Sequence, residues 1–493
     1  MATISSAGLG SGLDVTNIVS QLTELERTPI KQLQTEASTL QAKVSSLGSL
    51  KSAVSALGDA ATKLNNPDTW SATKATSSDT SSLSVSTDST AAPGSYSIGV
   101  QNLASAQATA SAVYATSGAV IGIGTLSFEI GSYNSSQSTF TTNPNWPKAN
   151  VEITSSDNTL EKVRDKINSA GVGVLASVVT DATGSRLVLR SSATGTANGF
   201  KVSVQDGDGD NTDAAGLSAL AYDPTTQVAD PNSTTGGTRA LTNMLATQKA
   251  DNARVSINGL NVESATNTIT GAVEGLTFKV SKKTSNDVDV SVAQDTDSIK
   301  KAITDFASAY TSLNSTLRTQ TAYDAANKRG APLQGDAAAI SVQSRMRGIL
   351  GQTSSASSVY KQLSQIGLSP DATGSMTVNA SKLDAALGSS LGEVKKLFSY
   401  TNASDSSQDG FAQRFKAFTS DVTGFEGTLT THTDGLQKRL TNNTKRQSVL
   451  EERVALYKQR LTQQYNTLDT NMSKINGLGN YVSQQLAALN KTA

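Results

Sequence analysis

An acidic run, Asp206–Asp213, is the part of this sequence that most resembles a metal site. It reads Asp-Gly-Asp-Gly-Asp-Asn-Thr-Asp, and oxygen ligands at alternate positions suit a hard cation such as Ca²⁺. However, the sixth position of such a loop is Asn211, and the twelfth is Leu217, where a bidentate glutamate belongs. We therefore interpret the run as a solvated turn at the edge of a β domain and predict no metal ligands.

His432 is the only histidine, and the sequence has no cysteine. Disulfides, thiolate metal sites and cysteine nucleophiles are therefore excluded. His432 lies between Leu429 and Leu436 at the spacing of an apolar helix face. We predict that it packs against neighbouring residues and does not act as a catalytic or pH-sensing group.

Two other patterns that could support chemistry are weak. Gly8–Gly12 has the glycines of a phosphate loop, but it follows no predicted strand and has no lysine at the required spacing. Glu263 and Glu274 lie among predicted strands, and no feature places them in a glycosidase cleft. We predict that the protein is not an enzyme, has no catalytic residues and binds no cofactor.

Composition limits the classes of partner. The 493 residues include 41 basic and 41 acidic side chains, so neither nucleic acid nor an anionic membrane is indicated as the main partner. No apolar run approaches the roughly 18 residues of a membrane span. Residues 1–14 are polar and glycine-rich, unlike a cleaved signal peptide. The length predicts about three or four domains.

Narrow apolar seams near both ends are the most informative pattern. Their spacing alternates between three and four residues, and a repeat of about 3.5 residues is typical of coiled coils. We predict that the two ends pair, leave much apolar surface uncovered, and become fully ordered only in a larger assembly. The predicted interface residues are Ile30, Leu33, Leu40, Val44, Leu47, Leu450, Val454, Leu461, Leu468 and Ile475.

The pattern between the seams is different. A first helix is predicted from Asp14, a break at Thr28-Pro29, and a second helix to about Leu64. Alternating apolar residues then predict strands, with one short helix at Leu160–Ile167 and a loop over 205–245. Helices return after Asp295, interrupted by a hairpin between Gln365 and Val378.

We predict an α+β multidomain fold with terminal coiled-coil helices, a helical-bundle leg domain and nested β-rich head domains in the middle of the chain. The predicted segments are 1–70, an N-terminal segment with coiled-coil helices; 71–117 and 246–295, the two parts of an inner β head; 118–245, an inserted outer β head; 296–405, the helical leg; and 406–493, the C-terminal coiled-coil helices.

Several stretches, in this order along the chain, resemble one family. They are Ile4–Asp14 (ISSAGLGSGLD), Gly94–Ala104 (GSYSIGVQNLA), Ile257-Asn258-Gly259 followed by Val273–Leu276, and Gln365–Leu368 (QIGL) followed by Leu397-Phe398. Together they are similar to the bacterial flagellar filament cap family, the hook-associated protein 2 family. Residues 118–245 match it only loosely.

The resemblance implies a cap at the distal tip of the flagellar filament. Members form a homo-oligomeric ring, commonly a pentamer, which guides flagellin into the filament and prevents its loss. They leave the cell by the flagellar type III route without a cleaved signal peptide, and a cytoplasmic export chaperone covers the C-terminal helix. Some members also take part in cell adhesion. Two alternatives remain open: another flagellar axial subunit, at a junction or in the filament, and a surface adhesin or phage-tail component with a glycan-binding β centre.

Overall fold

The computed structural model describes residues 14–405 and 408–489. They divide into two compact units. The helical unit contains the chain up to Trp70 and from Thr296 onward, and the β unit is Ser71–Asp295. The helices are α1 (Val15–Glu26), α2 (Thr28–Asn65), α3 (Pro67–Ser71), α4 (Leu160–Ala170), α5 (Thr296–Thr321), α6 (Ala337–Gly351), α7 (Ala380–Ser399), α8 (Phe411–Thr423) and α9 (Thr428–Leu489).

The predicted start and break of the N-terminal helices are confirmed. Asp14 caps α1, because its Oδ1 accepts a hydrogen bond of 2.9 Å from the Asn17 backbone N–H. α1 and α2 are separated at Arg27, whose backbone keeps right-handed helical dihedrals, and Pro29 lies in the first turn of α2, where its missing N–H has no intrahelical partner to lose. Thr28 is itself the first residue of α2, and Arg27 before it makes no side-chain capping bond.

The core of the helical unit forms where α2 packs against α5, α8 and α9. Leu47 and Leu57 are fully buried there. Phe306 and Phe415 stack edge to face with ring centroids 5.3 Å apart, an arrangement that aromatic rings favour. The helix predicted after Asp295 is confirmed as α5, and its large apolar side chains are buried in this core.

The strands belong mainly to the β unit. They are β1 (Thr73–Ser77), β2 (Leu83–Thr87), β3 (Gly94–Asn102), β4 (Ala108–Ala110), β5 (Gly124–Tyr133), β6 (Phe140–Thr142), β7 (Ala149–Ile153), β8 (Val174–Asp181), β9 (Gly184–Ser191), β10 (Gly199–Asp206), β11 (Tyr222–Ala229), β12 (Thr238–Thr242), β13 (Leu245–Gln248), β14 (Ala253–Ile257), β15 (Leu260–Ser264), β16 (Thr268–Val273), β17 (Leu276–Val280) and β18 (Val288–Gln294). Four more short strands, β19 (Tyr323–Asp324), β20 (Arg329–Gly330), β21 (Leu368–Pro370) and β22 (Met376–Val378), form two hairpins in the helical unit.

Four antiparallel sheets build the β unit. A five-stranded sheet in the order β1-β18-β3-β14-β15 shares one core with the three-stranded sheet β16-β17-β2. The second core includes α4 and lies between the four-stranded sheet β13-β4-β9-β8 and the sheet ordered β12-β11-β10-β5-β6, in which β7 also pairs with β5. The short helix predicted at Leu160–Ile167 is confirmed as α4, and Leu160, Val163 and Ile167 are fully buried in this core.

The prediction of a loop over 205–245 is wrong, because β11, β12 and the start of β13 lie in this stretch. The sequence of β11, Tyr-Asp-Pro-Thr-Thr-Gln-Val-Ala, has little apolar alternation, so spacing does not indicate a strand there. Cross-strand partners hold it instead: Tyr222 pairs with both Val202 of β10 and Thr242 of β12. Tertiary pairing overrides local propensity at such strands.

Candidate assembly surface

The two terminal helical segments of the described chain pair with each other. The Asn443 amide donates a 3.0 Å hydrogen bond to the Glu36 carboxylate. Farther along, the Lys51 ammonium donates to the Thr430 hydroxyl at 3.1 Å. As α2 runs back from Lys51 to Glu36, its partners on α9 advance from Thr430 to Asn443. The helices are therefore antiparallel, and the later residues of α9 run toward α1, which also packs on it.

The N-terminal seam lies inside the subunit. Ile30, Leu33, Leu40 and Leu47 are buried, and Val44 is half-buried against the core that contains Leu40 and Leu47. The structure therefore brings these five predicted residues together along one face of α2. In the isolated chain this face is already used to hold the helical unit together.

The C-terminal seam is covered only at its beginning. Val454 is buried, and Leu450 and Leu461 are half-buried. By contrast, Leu468 is 44% exposed and Ile475 is 59% exposed. The ten predicted interface residues therefore do not form one continuous surface: eight pack at least partly within the subunit, and the last two remain open to solvent.

The open part of α9 is more extensive than those two residues indicate. Leu468, Ile475 and Val482 recur every seven residues, so they lie along one side of the helix. The large apolar side chains exposed over this stretch are Leu468, Ile475, Leu478, Tyr481, Val482 and Leu486. Of these six, only Leu468 and Ile475 are among the predicted interface residues, and Tyr481 lies beside the strict three-and-four repeat, so spacing does not indicate it. We call this set the open face of α9.

His432 makes a specific contact that spacing did not predict. Its Nε2 lies 2.9 Å from Oδ2 of Asp336. The other oxygen of that carboxylate accepts hydrogen bonds from the Ala338 and Ala339 backbone N–H groups at 3.0 and 3.2 Å, which caps α6. His432 therefore joins α9 to the start of α6, a structural contact between helices.

The acidic run forms a turn in which aspartate side chains accept hydrogen bonds from nearby backbone N–H groups. Oδ2 of Asp206 accepts a 2.6 Å hydrogen bond from the Ser218 backbone, and Oδ1 of Asp210 accepts one of 2.9 Å from Thr212. The backbone N–H and the hydroxyl of Thr212 both donate to the Asp210 carboxyl, and these two bonds hold its pKa below the usual value. Within residues 14–405 and 408–489, no group of three acidic or histidine side chains is placed to hold a metal ion.

Glu263 and Glu274 are both exposed, the first on β15 and the second in a turn. Glu263 accepts a 3.2 Å hydrogen bond from the Asn252 amide and lies 3.5 Å from the Arg254 guanidinium. Glu274 is exposed in the turn between β16 and β17. In the part of the chain that the structure describes, no helix is long and apolar enough to cross a bilayer.

Comparison with known families gives three matches. The model for the flagellar hook-associated protein 2 N-terminus matches residues 11–107, and the model for its C-terminus matches residues 250–477. A third model, the flagellin hook IN motif, matches residues 139–193. This last match falls in the stretch that resembled the family only loosely and covers β6, β7, α4, β8 and β9.

Individual relatives extend the likeness over nearly the whole chain. The flagellar hook-associated protein 2 of Salmonella typhimurium is 31% identical over 69% of this chain and 69% of its own length. That of Escherichia coli K12 is 30% identical over 98% of both chains. The crystal structure of the flagellar cap protein FliD D1-D2-D3 domains from Escherichia coli has a TM-score of 0.58 at 28% identity and covers 80% of this chain and 99% of that one. On this evidence from sequence and structure, the chain belongs to the flagellar hook-associated protein 2 family.

Proposed function

We propose that copies of this chain form a homo-oligomeric ring at the distal end of the flagellar filament, where the ring guides flagellin into place and prevents its loss. The family is a structural one: it caps the flagellar filament and acts in filament elongation and motility. Ring formation, contact with flagellin, and the lack of any catalytic activity are the parts that we add as a proposal for this chain.

The open face of α9 is the observation that carries the proposal. Six large apolar side chains lie exposed between Leu468 and Leu486. Leaving such side chains in water forgoes about 1.5–3 kcal/mol for each one that an assembly could bury. The same helix is well covered earlier, where Leu429 and Leu436 are buried. An assembly that covers the later residues therefore gains free energy that the isolated chain lacks.

A partly covered helix suits a cap that must move as the filament grows. Contacts that are weak in the isolated subunit can break and form again at each addition of flagellin, whereas the buried core keeps its structure. We infer that the ring, mismatched in symmetry to the filament, holds a vacant position open and shifts as each flagellin folds into it.

The route of export and the size of the ring are part of the same proposal. We infer passage through the flagellar type III apparatus, and a cytoplasmic chaperone that covers the open face before export. The ring is proposed as a pentamer. The alternatives of a junction or filament subunit and of an adhesin receive less support, since the relatives are hook-associated protein 2 and the solved neighbour is a cap protein.

A clean chromosomal deletion tests the function. We expect cells without filaments and monomeric flagellin in the medium, with both defects reversed by the wild-type gene. Normal filaments and motility in the deletion strain would refute capping. If motility is normal and the purified full-length chain binds glycans on an array, the adhesin alternative is correct. Labelled protein found along the filament or at its base, and not at the tip, would support another axial subunit.

A further inference from the structure

The four-stranded sheet β13-β4-β9-β8 of the β unit has two open edges, one at β8 and one at β13. We infer that these edges pair between neighbouring copies of the chain, so that β13 of one copy adds to β8 of the next. This inference rests on the proposed ring and names one contact that builds it.

The free part of β8 can be located from its hydrogen bonding. In the β8–β9 hairpin, Asp181 pairs with Gly184 across a two-residue turn. The backbone groups of alternate residues, Ala176, Val178 and Thr180, consequently point away from β9. The side chain of Asn168 occupies the first of these positions, since its amide donates to the Ala176 carbonyl and accepts from the Ala176 N–H, both at 2.8 Å.

The other two positions are open. Among the described residues, no group bonds the outward backbone N–H and C=O of Val178 or Thr180. The strand carries no lysine, proline or bulge that would block pairing, in contrast to the protected edges usual in sheet proteins. Beyond the Asn168 cap, Ser177–Asp181 therefore forms a short free edge.

β13 provides a matching strand at the other end of the same sheet. It is four residues long, Leu245–Gln248, and every residue in it is exposed. Only β4 pairs with it in the described chain, and that pairing shifts register between Ala246 and Gln248. Its length fits the five residues of free edge on β8, and main-chain bonds of this kind are the basis of recognition by strand addition.

Exposed apolar side chains mark both edges on one face of the sheet. Cross-strand pairs connect Ser177 to Val188, Val188 to Ala110, and Ala110 to Leu245, so these residues share a face. On it, Leu245 at one edge is 67% exposed, and Leu175 and Val179 at the other edge are 55% and 50% exposed. The solvent face of an antiparallel sheet is normally polar. Strand addition would bring the two apolar groups together.

Pairing of two different edges has a consequence for symmetry. Each copy has both edges, so the contact is head-to-tail, and contacts of this type close into rings when the rotation between copies allows. Pairing of β8 with β8 would instead stop at a two-fold dimer. The geometry of the sheet thus fits the closed ring proposed for the cap.

Crosslinking tests the pairing directly, because the natural chain has no cysteine and therefore no background reaction. The full-length double variant Val179→Cys/Thr247→Cys, treated with a short bismaleimide, should give a ladder of covalent oligomers. Each single variant should give none. A matched control, Val179→Cys/Thr141→Cys, places the second thiol on the exposed strand β6 of the other sheet and should also give none.

The outcomes separate this inference from the proposed function. Oligomers of the unmodified chain are measured first by sedimentation. If oligomers form but the double variant gives no ladder, or if Val179→Cys alone gives dimers, the edge pairing is wrong and the ring remains. If the chain stays monomeric at every concentration, both the pairing and the ring are refuted.

A second pair of variants tests the hydrogen bonds. Thr180→Pro removes an N–H that faces away from β9, a position where an edge strand tolerates proline. It should weaken self-association about tenfold, the effect of roughly one lost hydrogen bond. Thr180→Ala keeps the N–H and should change association less than about twofold. Equal association of both variants and the wild type would overturn the pairing.

Discussion

Truncating two seam residues should separate folding from assembly. Leu47 on α2 is fully buried, and Ile475 on α9 is 59% exposed. Leu47→Ala and Ile475→Ala each remove several carbon atoms from a branched side chain. The first change leaves a cavity in the helical unit, whereas the second removes atoms that are already largely in water.

The magnitudes follow from burial. For Leu47→Ala we expect a loss of about 3 kcal/mol in the free energy of unfolding, within the range for fully buried leucines. For Ile475→Ala we expect a change within about 0.5 kcal/mol, as for surface substitutions. If the free energy of unfolding falls by about 3 kcal/mol per M urea, Leu47→Ala lowers the urea midpoint by about 1 M. Ile475→Ala leaves the midpoint nearly unchanged.

Urea unfolding followed by far-UV circular dichroism reports on the helical unit, which contains the long helices. The same samples are tested for self-association by sedimentation and for filament growth in a deletion strain. Ile475→Ala should weaken association and growth while keeping wild-type stability. If Ile475→Ala destabilised the isolated chain as much as Leu47→Ala, the end of α9 would be covered in the monomer, and our reasoning would be wrong.

Two further predictions concern local contacts. Hydrogen bonds from Lys396 and from Ser357-Ser358 hold the pKa of the Glu393 carboxyl at about 2, below its ordinary 4.5. The ionised carboxylate should therefore stabilise the loop before residue 362 fully above pH 4.5, and this stabilisation should be lost as the pH falls toward 2. Over this window, hydrogen exchange of the loop should become faster in the wild type, whereas in Glu393→Gln it should be pH-independent after correction for intrinsic rates. Asp336→Ala removes both the cap of α6 and the bond to His432, and it should lower the free energy of unfolding in urea by about 1–2 kcal/mol. His432→Ala leaves the cap in place and should lower it by about 0.5 kcal/mol. Equal losses in the two variants would contradict the capping role of Asp336.

Burial also changes how the seam can be tested. Leu40, a predicted interface residue, is buried in the helical unit. A charged residue in its place would disturb folding before it reached assembly. Leu461 is half-buried, and only Leu468 and Ile475 of the predicted set lie on the open face of α9. Substitutions at these last two positions are the ones that can report on assembly alone.

The sequence predicted the elements whose pattern is local. The three-and-four spacing around Leu33 and Ile303 specifies amphipathic helices, and Thr28-Pro29 marks the break between α1 and α2, because these signals act within one or two helical turns. Where pairing supplies the missing information, as in β11 around Tyr222, the sequence pattern did not predict the strand.

The sequence by itself determined that this chain has amphipathic helices toward both ends, a β-rich middle and no thiol chemistry, since these depend on residue type and spacing alone. Only the tertiary structure decided which parts of the seams are covered. Leu33 and Ile475 have the same apolar character, but packing buries one and leaves the other in water. The physical reason is that a helix pattern specifies a face, whereas its burial depends on which distant segment lies against that face.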